Sequence, residues 1–304
     1  MTMKISPEKV FEINKTWHKY EASIYHRRHD EIFRDEIELW QGIAKKYLVD
    51  SKYDILDFGA GTGFVSSIIQ DYISPNSKIT LADPSPEMLR ISKDNINHNY
   101  SNFVLIKDSK YEINGFKNKF DFILLNSVLH HIPDLSILFN KLNHYLKLDG
   151  KIIIAHEPNN LYYNSKSIYL INKFLDTIYS YKIIVKNNKR IASTKISGNL
   201  VSKVNKELLS NDIIKKELTA SELQKLVDYH SPTAGSIVNK EIGFSKNRFM
   251  NLTNQFDNYS IDDYSTYKYL GKRKILGNPF IDKVLSKLLP NCGSKIFIVL
   301  SKNS

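Results

Sequence analysis

Cysteine is almost absent: Cys292 is the only one in 304 residues. An internal disulfide and a thiolate metal cluster are therefore excluded, and the chain reads as a cytoplasmic protein. Long apolar runs are also missing. No stretch approaches the roughly 18 apolar residues that cross a bilayer, and the opening MTMKISPEKVFEINK has no apolar core of signal-peptide length. Acidic residues are in deficit, leaving a formal charge of +11, and the deficit is confined to the second half. Up to Pro158 there are 20 Lys and Arg against 21 Asp and Glu; from Asn159 onward there are 23 against 11. Such asymmetry admits an anionic partner or a solvated lysine surface. Arginine is scarce and no dense basic run occurs. Both features speak against a dedicated nucleic-acid site, which leans on bidentate guanidinium groups. Internal repeats and low-complexity linkers are missing too. What is present is an ordinary globular composition, 42% hydrophobic and 25% charged.

The first 50 or so residues carry helical stripes: Val10, Ile13, Trp17 and Tyr20, then Ile32, Phe33, Ile37, Trp40 and Ile43. After these, short apolar runs alternate with helical patterns. The runs are Tyr53–Phe58, Ser77–Ala82, Asn102–Ile106, Phe120–Leu125 and Lys151–Ala155, with helices expected near 62–73, 85–98 and 134–147. Such alternation implies right-handed βαβ crossovers and a parallel sheet. Gly150 is expected as a tight turn into the fifth strand. Beyond Pro158 come an aromatic, Ile-rich segment (162–184) and a Lys-rich one. Thr219-Ala-Ser-Glu222 is a capping box that opens a helix. Asn247–Leu252 is expected as a strand, Pro279–Leu289 as a helix, and KIFIVLS (295–301) as a terminal strand.

ILDFGAGTGF (55–64) places Gly59, Gly61 and Gly63 at the turn between the first strand and the first crossover helix. Ligands of open parallel sheets bind at the carboxyl ends of strands, where a glycine turn lets backbone approach them. The pattern is neither a dinucleotide fingerprint, since position 64 is Phe, nor a phosphate-binding loop. Asp57, two residues before the first glycine, would repel a pyrophosphate and suits an ammonium group. Asp83 ends the second strand at the spacing where an acid meets a ribose diol. Asp108 ends the third run, where it can accept from an adenine amine. Together these acids describe a ligand with an amine, a ribose and an adenine but no phosphate.

DFGAGTG, LADPS and KDS resemble the class I S-adenosylmethionine-dependent methyltransferases over about Tyr53–Pro158, and NSVLHHIPD (126–134) and GKIIIAHEPN (150–159) resemble the quinone and natural-product subgroup. The resemblance implies an α/β fold, a seven-stranded, mostly parallel, doubly wound sheet whose last strand is antiparallel, with N-terminal helices and an inserted helical cap. It implies a helical lid over 1–50, a cofactor core over 51–158, a substrate cap over 159–218 and the rest of the core sheet, with a further insertion, over 219–304. Residue by residue, it places Asp57, Gly59, Gly61 and Gly63 at the methionine end of S-adenosylmethionine and Asp83 with Pro84 at the ribose. Asp108 and Ser109 flank the adenine, and Asn126 and Ser127 lie near the sulfonium. Trp17, Tyr20 and Tyr25 are candidates to close over the cofactor.

Methyl transfer from a sulfonium is an in-line displacement, served chiefly by positioning; a base is needed only where the nucleophile must lose a proton. Metal-ligand spacings are missing, and no metal is expected. His130 and His131, after the fourth strand, are either base candidates or residues that pack on the cofactor and cap the next helix. His156 and Glu157 end the fifth strand at the same mouth. His18 and His26 are expected as inert helix-surface residues, and His230 as a helix terminator. The expected acceptor is a small apolar or aromatic metabolite, methylated on O, N or C, under a cap built from 162–184. An RNA methyltransferase using the basic second half and a non-catalytic binding subunit are the alternatives.

Overall fold

A computed structural model describes all residues except 1–4, 50, 98, 100, 169, 171–197, 232–241, 257 and 269–278. Seven strands form one sheet: β1 (Asp54–Phe58), β2 (Lys78–Asp83), β3 (Ser101–Leu105), β4 (Phe120–Asn126), β5 (Leu146–Pro158), β6 (Tyr259–Tyr267) and β7 (Lys295–Lys302). Their spatial order is β3-β2-β1-β4-β5-β7-β6. The first five pair in parallel, and β7 runs antiparallel to both β5 and β6. The strand order reverses between β1 and β4, so their carboxyl ends open the crevice where such sheets hold ligands.

Alternate residues of each strand face opposite sides, and both sides are apolar. Leu56, Phe58, Ile123, Ile152 and Ile154 join one core cluster. Ile55, Phe122, Leu124, Ile153 and Ala155 join the other. The helices that cover these faces are capped as the chain dictates. Ser6 caps α1 (Pro7–Glu21), with Pro7 at the first turn, and α2 (Tyr25–Arg28), α3 (Asp30–Asp35) and α4 (Ile37–Tyr47) follow. After β1 comes α5 (Phe64–Ile69). Ser85 caps α6 (Pro86–Asn95), and Asp134 caps α7 (Leu135–Tyr145) by accepting from the Ser136 and Ile137 amides. Trp40, Ile43, Val65 and Ile69 cover one face, and Leu138, Phe139 and Leu142 the other. Each such side chain contributes about 1.5–3 kcal/mol by burial.

Beyond β5 lie α8 (Asn160–Asn164), α9 (Gly198–Ser210), α10 (Ala220–Val227), α11 (Lys246–Thr253) and α12 (Pro279–Leu288). Thr219 and Glu222 close the capping box of α10. A third cluster joins Ile13 and Trp17 of α1 to Leu200, Val204, Leu223 and Leu226 of α9 and α10. The N-terminal helix and the later helices therefore roof the sheet together. Among the described residues no helix is long and apolar enough to cross a membrane.

Two sequence expectations fail here. Asn247–Leu252 is helical: Ser245 caps it by accepting from the Arg248 amide, and the strand beside β7 is instead Tyr259–Tyr267. Gly150 is not the turn into β5. That strand already pairs at Leu146 with Phe120, slips, and resumes at Lys151 with Phe122, while Asp149 takes the positive φ of 60°. The aromatic segment 162–184 falls mostly outside the described residues.

Candidate functional site

The turn after β1 holds Gly59, Gly61 and Gly63 at φ of 69°, 54° and 81°. At Gly59 a β-carbon would also stand 2.6 Å from Val128 Cγ2, so the chain itself excludes a side chain there. At Gly61 nothing lies within 4 Å, and only the backbone conformation demands glycine. The Gly61 amide donates to Asp83 Oδ2 at 2.9 Å, and the Ser85 amide donates to Asp83 Oδ1 at 2.8 Å. Asp57 accepts from the Ser66 hydroxyl at 2.6 Å. Both acids are buried. Burial raises each to about 6, against hydrogen bonds that favour the ionised form.

These acids line a cleft of about 950 Å³, counting its solvent-open mouth. Gly59, Gly61, Pro84, Asn126, Ser127 and Tyr25 line it with them. Gly63 does not; a β-carbon there would meet Ser92 of α6 at 3.0 Å, so this glycine serves helix packing. Asp108 and Ser109 also stand outside the lining. The strand ends at Leu105, and Asp108 is exposed in the following loop, where it accepts from the Lys110 amide at 2.9 Å. Apolar walls from Met88, Ile106 and Phe33 complete the cleft. No sequence motif marks them, because any apolar residue at a loop mouth reads as core.

A second cavity of about 1210 Å³, again counting its solvent-open mouth, adjoins the first, and His18, Tyr25, Ile32, Ser127 and His131 line both. His18 is not the surface residue expected: its ring lies edge-on to His131 at 5.1 Å, its Nδ1 donates to the Asn14 carbonyl at 2.9 Å, and burial lowers it to about 4. His26 is likewise engaged, its Nε2 meeting Thr62 Oγ1 at 2.8 Å. His230 terminates no helix: α10 stops at Val227, and the buried His230 donates its amide to the His130 carbonyl at 2.8 Å. Trp17 lines the second cavity, whereas Tyr20 turns away and donates to Glu207 at 2.6 Å.

Three non-glycine residues with positive φ border this cavity, Ser127 at 64°, His156 at 61° and Lys268 at 57°. Strain of this kind concentrates at functional sites. His156 sits in a bulge of β5, between Ala155 and Glu157, which re-aims both of its neighbours. Its ring bonds Glu36 through Nδ1, and its amide donates to the Tyr267 hydroxyl at 2.8 Å. Burial lowers His156 to about 4. Burial alone would raise Glu36, but His156 and Lys268, whose Nζ is at 2.8 Å, hold it at about 2. With Lys268 as the fixed cation, Glu36 is the ionised partner and His156 the neutral one. Glu157 is fully buried below the turn Leu129–His131 and accepts from the amides of Val128 and Leu129, each at 2.7 Å, and of His130 at 3.1 Å. His130 Nδ1 also donates to Glu157 at 2.8 Å, and burial keeps this histidine well below its ordinary range.

A glycine turn, two buried carboxylates at successive strand ends and a cleft at the switch point are arranged as in the class I methyltransferase fold. The donor set fits S-adenosylmethionine: hydroxyl acceptors at Asp83, a carboxylate at Asp57 and, among the described residues of the lining, no Lys or Arg to cradle a phosphate. The chain belongs to the methyltransferase domain family, whose model matches residues 49–252, and its cofactor is S-adenosylmethionine. It is 33% identical to malonyl-[acyl-carrier protein] O-methyltransferase of Acetivibrio thermocellus over 105 residues, 34% of this chain and 36% of that protein. To a second such enzyme, from Ilyobacter polytropus, it is 33% identical over 130 residues, 42% and 45% of the two chains. The alignments thus span less than half of those relatives. A ubiquinone/menaquinone C-methyltransferase of Idiomarina loihiensis matches at 22% over 200 residues, 64% of this chain and 76% of that one. The methyltransferase solved with the Haloferax volcanii Trm112 activator shares the fold, at a TM-score of 0.52 and 10% identity, over 94% of this chain and 98% of that chain.

Proposed function

We propose that the chain transfers the methyl group of S-adenosylmethionine to an oxygen or nitrogen of a small polar acceptor seated in the second cavity. The wall shared by the two cavities carries this reading. Ser127, Tyr25, His18 and His131 face both, so a molecule in either cavity meets the other at that wall. Asp83 would hold the ribose hydroxyls, Asp57 and the glycine turn the methionine end, and Asn126 and Ser127 the region of the reacting carbon. S-adenosylmethionine supplies an activated methyl carbon there, and displacement on that carbon leaves a neutral thioether.

The relatives named above act at oxygen or at carbon, so their likeness does not choose the acceptor atom. The lining does. The second cavity is bordered by histidines, Glu21, Arg28, Lys268, Lys295 and Asp228, with Trp17, Tyr25 and Tyr163 as aromatic members and Ile32 and Val227 as aliphatic ones. That lining supports a polar acceptor in place of the apolar one expected from the aromatic segment. His18 and His156, each at about 4, are weak bases near neutrality, so positioning supplies most of the rate.

Isothermal calorimetry with S-adenosylmethionine, followed by incubation of methyl-labelled cofactor with separated metabolite and RNA fractions, tests the proposal. Label is expected in polar small molecules. Label in RNA would favour the rival reading, which rests on the charge of the second half. Lack of cofactor binding would favour a non-catalytic subunit.

A further inference from the structure

The second cavity carries a donor set whose grouping methyl transfer does not by itself explain. His130, His131 and Asp228 each offer one ligand atom, and these atoms lie within 4.8 Å of one another. The two histidines come from the turn after β4, and Asp228 is the C-cap of α10, so two separate elements converge on the spot.

Both histidines are braced as metal-bound imidazoles are. His130 Nδ1 meets Glu157 Oε2 at 2.8 Å, and His131 Nδ1 meets the Val227 carbonyl at 2.7 Å. A carbonyl oxygen can only accept, and Glu157 already accepts three backbone amides. Each Nδ1 therefore carries the proton and each Nε2 a lone pair. Carboxylate and carbonyl acceptors behind the ring are the usual outer partners that fix the tautomer of a metal ligand.

The surrounding charge also admits a cation. Arg28 is paired with Glu21 and Lys268 with Glu36. Lys295 lies 3.4 Å from the His156 carbonyl. Among the described residues of the lining these three cations face Glu21 and Asp228, with Glu36 and Glu157 buried behind the wall on His156 and His130. Asp228 is half-buried at the cavity wall and faces His131 Nδ1 at 3.7 Å.

We propose that His130, His131 and Asp228 form a divalent-cation site open to the acceptor cavity. Two imidazoles and one carboxylate suit the borderline transition metals, Zn²⁺, Co²⁺, Ni²⁺ or Fe²⁺, better than Mg²⁺ or Ca²⁺, which prefer all-oxygen shells. Three protein ligands leave a position toward the cavity for a donor atom of another molecule. Binding of the cation does not depend on the methyl-transfer reading; occupation of that open position by the methyl acceptor does.

The test uses the whole chain, stripped with a chelator and titrated with Co²⁺. Metal uptake is followed by visible ligand-field absorption and by equilibrium dialysis, with Zn²⁺ as competitor. One Co²⁺ per chain is expected, displaced by Zn²⁺. D228N and H130Q are each expected to weaken binding about 10- to 100-fold, whereas Asp228→His, which keeps a ligand, retains it. The part-exposed Asp228 makes D228N the safer variant for folding; its melting temperature and its affinity for S-adenosylmethionine are expected to match the parent chain. No uptake at submillimolar metal, or uptake that survives both D228N and H130Q, would overturn the site. Co²⁺ binding without any methyl transfer would overturn the acceptor reading and leave the metal site standing.

Discussion

Asp57 and Asp83 are carboxylates buried at the carboxyl edge of the sheet. Each is held at about 6, above its ordinary 3.8, chiefly by burial. The folded chain therefore takes up protons there before the unfolded chain does. Ionised acids destabilise the ligand-free fold above pH 6, and that cost disappears as pH falls toward 4. Ribose hydroxyls and an ammonium group favour the ionised forms. Affinity for S-adenosylmethionine is expected to fall as pH drops below about 6, by up to tenfold per pH unit for each acid, and Asp83→Asn should flatten part of that slope in calorimetry at several pH values. Asp83→Ala should weaken cofactor binding by roughly 1–3 kcal/mol, the cost of leaving hydrogen-bonding partners unmatched. An unchanged dissociation constant would place the ribose elsewhere. The glycines make a matched pair. Gly59→Ala adds a clash with Val128 to an unfavourable φ and should cost about 2–4 kcal/mol, whereas Gly61→Ala meets only the φ penalty of about 1 kcal/mol. Urea midpoints for the two variants check the order.

At the scale of elements, the turn Leu129–His131 is an anchored piece rather than a loop, because Glu157 accepts three of its amides and one ring nitrogen. Glu157→Gln would set an amide donor against N–H groups. It should lower stability by about 2–4 kcal/mol and reduce methyl transfer more than cofactor affinity. Equal losses in both would show that Glu157 serves the fold alone. This bond also marks where sequence reading stops. Strands β1 to β5, their helices, the capping box and the glycine turn were legible, since period, caps and glycine spacing are local signals. The burial of Asp57 and Asp83 at the cleft follows from their places at strand ends. The bulge at His156 was not, nor was its consequence that Glu157 turns beneath the neighbouring turn, because a bulge leaves no periodic trace. Strand β6 is not legible because YSIDDYSTY lies at the sheet edge with polar residues on its exposed positions, while Asn247–Leu252, inside the helix Lys246–Thr253, carries the apolar residues that imitate a strand. His18 was misjudged because the sequence shows its helix but not what packs over it.

At the scale of the molecule, the third cluster decides how the site opens. The sheet's two cores are large and continuous. The roof is held instead by Ile13 and Trp17 against α9 and α10, by Lys19 and Tyr20 on Glu207 at 2.7 and 2.6 Å, and by Asn14 on the Leu226 carbonyl at 3.4 Å. Trp17 is 3% exposed and donates through Nε1 to Glu21 at 3.0 Å. Its truncation to alanine removes about 3–5 kcal/mol of packing, but from a cluster separate from both sheet cores. The roof should then open as a local unit while the sheet keeps its protection. Trp17→Ala is expected to speed amide exchange across residues 7–21 and 198–227 and leave β1, β4 and β5 unchanged. S-adenosylmethionine, bridging the Asp57–Asp83 edge and Tyr25, should restore part of the lost protection. Uniform loss of protection through the sheet would show that roof and sheet unfold as one body, and access to both cavities would then require global unfolding.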